Sequence, residues 1–422
     1  MNNFYNQINF FIGILFLASC GGGAIKEEKS FIKAGPESRK EIQNALIQAQ
    51  PGDTLFFDEG VFEMDLGISI LDKENIALVG KGHEKTIFSF AEQKKGASGA
   101  EGILAKNMKN VTFMDLAVVE TTGDAIKVQD SDGVIFMNVR TEWAGAKPEN
   151  GAYGLYPVTC SNVLIDGCIA KGASDAGIYV GQSKNVIVRN CYAERNVAGI
   201  EIENTTNSDV YNNEATGNTG GILMFNLPDL PVKGGGHTRV YNNKVYKNNL
   251  GNFAPEGNMV ATIPAGTGMF VLASRNIEIF DNEILDNATG GIGIISYFFT
   301  QIPVKDSLFN PFPTAIYIHN NKFSQDLSVE PDMTKDIGPM VKQFEAQLGR
   351  RPDIMHDGVI HPEMGKTVQE MPAESRFCIK DNGEVVIVNL QDPTTPPEAY
   401  NCELAPLEEA NVQVAGKEIA SL

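Results

Sequence analysis

Two glutamates on one predicted strand are the side chains best placed for acid–base chemistry. Glu201 and Glu203 alternate with Ile200 and Ile202, so on a β-strand both carboxylates would point to the same face. Their Cα atoms would then lie roughly 6.6 Å apart, a spacing at which an acid and a base can flank a glycosidic bond. A solvated surface pair and half of a Ca²⁺ site are the alternatives, since hard cations prefer carboxylate oxygens.

A cation and a set of aromatic rings follow the same outward register on neighbouring predicted strands. Lys127 is the third candidate for catalysis, because its ammonium group can neutralise a uronate; ordinary surface charge is the alternative. Aromatic rings can stack on the apolar faces of pyranose units, or they can simply stiffen the pairing between strands. The predicted substrate-binding rings are Tyr156, Tyr179, Phe225, Phe270 and Tyr297.

The elements that must position these side chains come from an internal repeat. The segments that begin at Asn162, Asn185 and Asn207 share one pattern and start 23 and 22 residues apart. In each copy, short runs with apolar residues at alternate positions follow one another, and a Gly precedes the last run. Alternation in runs this short indicates strands. A fixed period of this length indicates a unit that buries its apolar face by stacking on copies of itself.

One turn position of the repeat holds Cys168 and Cys191 and then a column of asparagines. These are Asn213, Asn243, Asn282 and Asn321. Stacked amides can satisfy one another inside a turn, and for the two thiols stacked burial is preferred over a metal pair or a redox site. The pattern resembles the right-handed single-stranded parallel β-helix of the pectin-lyase-like superfamily. The resemblance implies an all-β solenoid.

The chain divides into five predicted parts. They are a lipoprotein signal peptide (1–19), a Gly-containing flexible tether (20–35), an N-terminal cap that opens with a helix (36–66), the β-helix (67–326) and a C-terminal cap with a small appendage (327–422). Insertions interrupt the 22-residue spacing, and in a solenoid such insertions form loops, often on the binding face. The insertions are 143–152, 227–236, 250–266 and 298–313.

Three cysteines predict a location in the cell envelope. The Leu-Ala-Ser that precedes Cys20 resembles a bacterial lipobox, which implies cleavage before Cys20 and lipidation of its thiol. The apolar run before it is shorter than the ~20 residues of a membrane span, so the lipid would be the attachment to the membrane. Cys378 and Cys402 flank one small unit, and in an oxidising compartment they predict a disulfide. We expect a monomer in the periplasm or outer membrane of a Gram-negative bacterium.

The net charge of the chain limits the kinds of molecule that it can bind. The 422 residues include 53 acidic and 34 basic side chains, a formal net charge of −19. Nucleic acid is excluded, because its phosphates require a basic surface. The charge also argues against an unaided polyanion such as pectate or alginate, unless a local basic patch or bound Ca²⁺ reverses it. Ca²⁺ is the one candidate cofactor, and no His or Cys spacing typical of zinc is present.

Known catalytic motifs of the superfamily are absent. The chain lacks the Asp-Pro-His-Asp of mannuronan epimerases, the Asn-Thr-Asp, Gly-His-Gly and Arg-Ile-Lys of polygalacturonases, and the Arg-x-Pro-x-Arg-like element of pectate lyases. Over its whole length it resembles an uncharacterised family of bacterial lipoproteins with parallel β-helix repeats. Members of that family tend to be encoded beside a secreted c-type-haem-like protein, so the resemblance implies such a protein as a candidate partner.

Three functions fit these observations. The first is binding or modification of a polysaccharide along the solenoid, with lyase or C5-epimerase chemistry if the protein is an enzyme. The second is a non-catalytic module that docks a periplasmic or envelope protein, favoured by the apolar residues Leu223, Phe225, Phe270 and Leu272. The third is a structural or adhesin-like rod. Polar residues that converge on one point would favour the enzyme, and a flat apolar patch would favour the docking module.

Overall fold

The protein is a parallel β-helix. The structure, a computed structural model, describes residues 30–94, 100–414 and 417–418. Most rungs contribute one strand to each of three sheets, here called sheets 1, 2 and 3 in the order in which the chain visits them. All strand pairs described within these three sheets are parallel, as predicted for an all-β solenoid. The predicted signal peptide, with Cys20, lies outside the described residues.

Sheets 1 and 2 are formed from strands that stack in sequence order. Sheet 1 consists of Phe31–Ile32, Thr54–Phe57, Glu74–Val79, Lys109–Met114, Asp132–Met137, Ser161–Asp166, Lys184–Arg189, Thr206–Tyr211, Gly236–Tyr241, Arg275–Phe280, Thr314–His319 and Phe377–Lys380. Sheet 2 consists of Gly60–Glu63, Thr86–Ser89, Ala117–Val119, Arg140–Glu142, Ile169–Lys171, Tyr192–Glu194, Glu214–Thr216, Lys244–Tyr246, Glu283–Leu285 and Lys322–Ser324.

Sheet 3 carries the predicted site residues. It consists of Ile68–Leu71, Ile103–Lys106, Ile126–Gln129, Tyr153–Val158, Ala176–Gly181, Ala198–Glu203, Gly220–Phe225, Thr267–Leu272, Gly290–Ile295, Ile354–His356 and Ile387–Asn389. Its inward residues stack from rung to rung: Ile178 pairs with Ile200, and Ile200 pairs with Ile222. All three are fully buried, so the predicted inward register is confirmed.

Asparagine ladders hold the turns between sheets 1 and 2, as the column of amides predicted. Asn243 donates to the Asn282 Oδ1 at 3.0 Å and accepts from the Asn213 Nδ2 at 3.0 Å. Each of these amides also bonds a backbone group of the neighbouring rungs, so the buried polar atoms are satisfied. A second ladder at the next turn was not predicted. It consists of Asn196, Asn218, Asn248 and Asn287.

The four predicted insertions are irregular connections, and each borders a strand of sheet 3. Two of the insertions precede a strand of this sheet, namely 143–152 and 250–266. The other two follow a strand of this sheet, namely 227–235 and 298–313. Two of them contain short 3₁₀ helices, Met259–Thr262 and Tyr297–Thr300. The insertions therefore gather along the two long edges of one face, as expected for a binding face.

The coil extends beyond both of its predicted ends. Helix α1, Ser38–Gln48, covers the first rung with Ile42 and Leu46 buried, as predicted for a cap. The strands from Thr54 onwards already pair with the next rung, so much of the predicted cap belongs to the coil. At the other end, Ile354–His356 continues sheet 3. The alternation from Leu55 to Met64 predicts a strand there, whereas Ile354–His356 was not predicted, because it does not share the 22-residue spacing.

The remaining elements belong to the C-terminal region. They are helix α2, Ile337–Leu348, the 3₁₀ helices Val368–Glu370, Ala373–Ser375 and Pro397–Tyr400, and the antiparallel pair Gln413–Val414 with Lys417–Glu418. The predicted disulfide between Cys378 and Cys402 is present, and it ties the last strand of sheet 1 to the following loop. Cys160, Cys168 and Cys191 are free and buried. Among the helices described, none is long and apolar enough to span a membrane.

The end of the described chain returns along sheet 1. The backbone N–H of Leu407 donates to Glu278 Oε2 at 2.9 Å. Val412 is buried together with Leu164 and Ile187 of two earlier rungs. The tail thus covers outward apolar side chains of sheet 1 and leaves sheet 3 to the insertions.

Candidate active site

The outer face of sheet 3 brings together both predicted glutamates, the predicted lysine and two of the predicted tyrosines. In the strand register Lys127 pairs with Tyr156, and Tyr179 pairs with Glu201. The rings of Tyr156 and Tyr179 lie 5.0 Å apart, so the two pairs are neighbours. Glu203 lies two residues after Glu201 on the same face. The parallel stacking of successive rungs, about 4.8 Å apart, places residues from consecutive repeats in one cluster.

A third tyrosine completes a group of mutually contacting rings. The centroid of the Tyr153 ring lies 4.4 Å from that of Tyr156 and 4.6 Å from that of Tyr179. Tyr179 is only 3% exposed, whereas Tyr153 and Tyr156 are half-buried. Tyr153 was not predicted as a site residue, because it adjoins an insertion and the sequence pattern does not show where the strand begins. Its alternation with Leu155 is the signal that could have identified it.

Tyr179 leans along its own strand to reach Glu203. Its hydroxyl donates a hydrogen bond to Glu203 Oε1 at 2.6 Å. The ring crosses Gly181, where a Cβ atom would lie only 2.2 Å from the tyrosine hydroxyl oxygen. Gly181 is therefore required for the contact, because any larger residue would occupy the space of the phenol.

Both predicted glutamates are buried, contrary to the expectation of a solvated pair. Glu201 is 2% exposed and Glu203 is 7% exposed. Burial, together with the charges of Asp175 and Glu203, raises the pKa of Glu201 well above its usual range. Burial raises the pKa of Glu203 to about 7, and the hydrogen bond from Tyr179 lowers it in part. Glu201 Oε2 is buried without a hydrogen-bond partner.

Two aspartates join the cluster from the turns that precede sheet 3. Asp175 is 6% exposed, and burial with the charge of Glu203 raises its pKa to about 7. It accepts hydrogen bonds from the Tyr153 hydroxyl at 3.3 Å and from Asn258 Nδ2 at 3.1 Å. Burial also raises the pKa of Asp124 to about 6. The sequence analysis did not single out Asp175 or Asn258, because a contact across 83 residues leaves no local pattern.

Lys127 is a cation of this cluster, but it is already engaged. Its Nζ lies 3.8 Å from Asp124 Oδ2 and 4.7 Å from the centroid of the Tyr156 ring. The ammonium group therefore interacts with both the Asp124 carboxylate and the face of the Tyr156 ring. Lys127 therefore balances Asp124 within the cluster, and among the described residues no cation forms an ion pair with the other three carboxyl groups.

Three predicted substrate-binding rings are covered by the insertions of the chain itself. Phe225 is 1% exposed, Phe270 is 6% exposed and Tyr297 is 2% exposed. They form a second apolar cluster with Val260 and Ile263 of the insertion 250–266. The prediction of an open aromatic groove is wrong for these three and for Tyr179, which is 3% exposed. Outward orientation on sheet 3 does not ensure exposure, and Tyr297 lies in a 3₁₀ helix after the strand. Tyr156 and Tyr179, with Tyr153, remain at the acidic cluster.

The carboxyl groups do not form a metal site. Among the described residues, no group of three or more His, Cys, Asp or Glu side chains is arranged to hold a metal ion. The cluster therefore does not fit the Ca²⁺ site that was considered for Glu201 and Glu203. Protonation is the alternative way to neutralise buried carboxylates, and the raised pKa values of Glu203 and Asp175 correspond to it.

This arrangement is suited to acid–base chemistry. Glu203 and Asp175, both with pKa values of about 7, can each hold or release a proton near neutral pH. Coupled carboxyl groups of this kind share protons, so that one serves as an acid while another serves as a base. Tyr153 and Tyr156 offer partly exposed rings at the edge of the cluster. Strongly perturbed acids grouped beside aromatic rings mark a candidate functional site.

Comparisons with known proteins concern the coil. The family model described as the right-handed β-helix region matches residues 101–228 and 147–323. The preneck appendage protein of Bacillus phage PZA is 25% identical in an alignment of 306 residues that covers 67% of this chain and 32% of that protein. The chain thus spans about a third of the length of that curated relative.

Solved structures resemble the chain over most of its length. The DFA-IIIase of Arthrobacter chlorophenolicus A6, without its lid, superposes with a TM-score of 0.50 at 12% identity, over 79% of this chain and 85% of the other. The mannuronan C-5 epimerase AlgE4 A-module of Azotobacter vinelandii has a TM-score of 0.45 at 13% identity, over 89% and 98% of the two chains. Likeness at these identities shows the fold alone.

Proposed function

The chain belongs to the right-handed β-helix family, and from this premise we propose that it binds a neutral polysaccharide at the outer face of sheet 3 and hydrolyses a glycosidic bond there. The observation that supports this proposal is the cluster of four carboxyl groups beside three tyrosines. Two of these groups, Glu203 and Asp175, have pKa values of about 7. Hydrolysis of a glycosidic bond by paired carboxyl groups requires one of them protonated and one ionised.

Glu203 is the general acid of the proposed reaction. Its pKa of about 7 leaves a large protonated fraction at neutral pH, which is the state that donates a proton to the leaving oxygen. The Tyr179 hydroxyl, 2.6 Å from Glu203 Oε1, orients the carboxyl group and stabilises its anion after transfer. Tyr179 is a positioning residue in this scheme.

Asp175 is the general base of the proposed reaction. It is deprotonated over part of the same pH range, and Tyr153 and Asn258 hold one of its oxygens. Its other oxygen is then left to activate a water molecule. Burial and the neighbouring charges raise the pKa of Glu201 well above its usual range, which favours the protonated form, and that form can donate a hydrogen bond.

The charges favour a neutral sugar over a uronate. Asp175 is anionic when it acts as the base, and Lys127, the cation of the cluster, is already paired with Asp124. A uronate would need cationic partners to enter such a site, because like charges in a partly buried site repel strongly. Lyase and C5-epimerase reactions act on uronates, so hydrolysis of a neutral glycan replaces them as the proposed reaction.

Access to the carboxyl groups requires movement. Glu203 and Asp175 are less than 10% exposed, and Asn258 of the insertion 250–266 is bonded to Asp175. We expect the Asn258 side chain to release Asp175 when a glycan chain enters along Tyr153 and Tyr156, while the rest of the insertion keeps its place through its bonds to Lys335 and Asn252. The closed arrangement explains the raised pKa values, because it keeps water from the carboxylates.

The test is a panel of neutral and acidic polysaccharides incubated with the full chain, followed by measurement of new reducing ends. The variants Glu203→Gln and Asp175→Asn are compared with Glu74→Gln, a matched control that removes an exposed carboxylate from sheet 1. We expect cleavage of a neutral glycan that falls by at least 100-fold in both site variants and is unchanged in the control. Cleavage of acidic glycans alone, or equal rates in all variants, would contradict the proposal.

Docking of an envelope protein was predicted from an apolar patch that the chain now covers itself. Leu223 and Leu272 are buried with Phe225 and Phe270, so this patch gives the docking proposal no surface. A secreted c-type-haem-like partner and a purely structural rod stay predictions. If every glycan fails to bind, purification of the partner from the envelope is the next experiment.

We also propose that Cys20 carries a lipid that holds the protein at a membrane of the cell envelope. The support is the sequence Leu-Ala-Ser-Cys at the end of an apolar N-terminal run. Metabolic labelling with a fatty acid should mark the protein, and Cys20→Ser should abolish the label. An unlabelled wild-type protein would contradict the proposal.

A further inference from the structure

A surface cleft opens beside the acidic cluster, between two insertions and the start of helix α2. Its volume is about 430 Å³, and it is lined by Asn258, Thr262, Phe298, Gln301, Ile302 and Asp336, among others. This volume lies within the range of about 300–1,000 Å³ that is usual for sites of small ligands. Asn258 belongs both to the cleft and to the cluster, because its Nδ2 donates to Asp175.

The walls of the cleft are held in place by contacts between distant segments. Lys335 Nζ donates to the backbone oxygen of Ala261 at 2.8 Å, which joins the lead-in to α2 to the insertion 250–266. Within that insertion Asn252 Nδ2 donates to the backbone oxygens of Val260 and Ile263 at 2.8 and 2.9 Å. The cleft is thus a preformed cavity and not a gap between independent loops.

The lining suits a sugar ring. The side chain of Phe298 is 51% exposed, and its ring is supported by an edge-on contact with Phe312 at 5.4 Å between centroids. An exposed ring held in this way can stack on the apolar face of a pyranose. Gln301 and Asp336 are exposed nearby, where their side chains can hydrogen-bond sugar hydroxyls.

We propose that this cleft is a distal subsite for the same neutral glycan, occupied by sugar units adjacent to those at Asp175 and Glu203. The inference rests on the proposed function and adds the path of the bound glycan, which would run from the tyrosines past Asn258 to Phe298. The subsite is formed by the insertions 250–266 and 298–313 and by the start of α2 with the residues that precede it. It therefore contributes to affinity for long oligosaccharides and not to the acid–base step.

The experiment compares Phe298→Ala with wild type on a series of neutral oligosaccharides of increasing length. For the long members we expect a KM about tenfold higher in the variant, with kcat unchanged, and for the shortest substrate no change in either. Phe298→Tyr should restore the wild-type KM, because it retains the ring. Leu308→Ala is the matched control, since Leu308 is 81% exposed in the same insertion but lies outside the cleft.

The two proposals fail in different ways. If Glu203→Gln abolishes cleavage while Phe298→Ala leaves the length dependence of KM unchanged, the subsite is refuted and the reaction stands. If Phe298→Ala lowers binding of long glycans and Glu203→Gln leaves the products unchanged, the subsite stands and hydrolysis at the cluster is refuted. Equal loss with Leu308→Ala would refute the subsite as well, because the effect would then follow from a disturbed insertion.

Discussion

Replacing Glu203 by glutamine should stabilise the protein at alkaline pH and leave it unchanged at acidic pH. The folded-state pKa of Glu203 is about 7, raised from 4.5 mainly by burial. The folded protein therefore binds this proton more tightly than the unfolded chain does. The stability that the protonated group contributes is complete below pH 4.5 and is lost as the pH rises through 7.

The size of the effect follows from the two pKa values. A difference of one pKa unit corresponds to about 1.4 kcal/mol, so a carboxyl group raised from 4.5 to about 7 costs about 3 kcal/mol once it is ionised in both states. Glutamine has nearly the same shape, keeps an oxygen that can accept from the Tyr179 hydroxyl, and carries no charge at any pH. The variant should therefore be more stable than wild type by about 3 kcal/mol at pH 9 and by about zero at pH 4.

The assay is urea unfolding followed by circular dichroism at several pH values between 4 and 9. Glu74→Gln is the control for net charge, since it removes one exposed carboxylate from sheet 1. Its free energy of unfolding should depend on pH in the same way as that of the wild type. The prediction is refuted if the free energies of unfolding of wild type and Glu203→Gln differ by the same amount at every pH between 4 and 9. Such a result would mean that Glu203 ionises freely and that water reaches it in the resting protein.

Further predictions concern other buried groups. Burial lowers the pKa of His356 to about 4 from 6.5, so stability should fall by about 3 kcal/mol between pH 6.5 and 4; His356→Gln should remove this acid sensitivity in urea unfolding. Asn243→Ala should cost about 3 kcal/mol in the same assay, because the bonds that its amide makes within the ladder are lost. Gly181→Ala should displace the Tyr179 hydroxyl and thereby raise the pKa of Glu203, since that hydrogen bond lowers it; a shift of the carboxyl infrared band to higher pH would confirm this. An unshifted band would show that the tyrosine tolerates the added methyl group.

The acidic cluster is predicted to lower the stability of the folded protein, and this destabilisation itself indicates a functional role. Four carboxyl groups on one buried surface destabilise the protein at neutral pH, and glutamine or asparagine in their places would remove much of that cost. Sites where local chemistry opposes stability are commonly sites of binding or catalysis. The stability experiment and the glycan experiment therefore examine two consequences of the same arrangement.

The sequence was sufficient for the features that depend on a local period. The side chains of a strand alternate between its two faces, so the inward positions and the common face of Glu201 and Glu203 followed from alternation alone. The 22-residue repeat predicted stacking, and stacking predicted the ladder that contains Asn243. The pairing of Cys378 with Cys402 was also predicted and is present.

The tertiary structure decided which outward side chains meet water. Phe225 and Phe270 point outward as predicted, yet the insertion 250–266 buries them, since the path of an irregular loop depends on packing against distant segments. The same insertion brings Asn258 to Asp175 across 83 residues, a contact with no period to reveal it. Burial by these long-range contacts also sets the pKa values. Sequence alone therefore determined the scaffold and the candidate acids, and only the packing of its insertions determined their protonation.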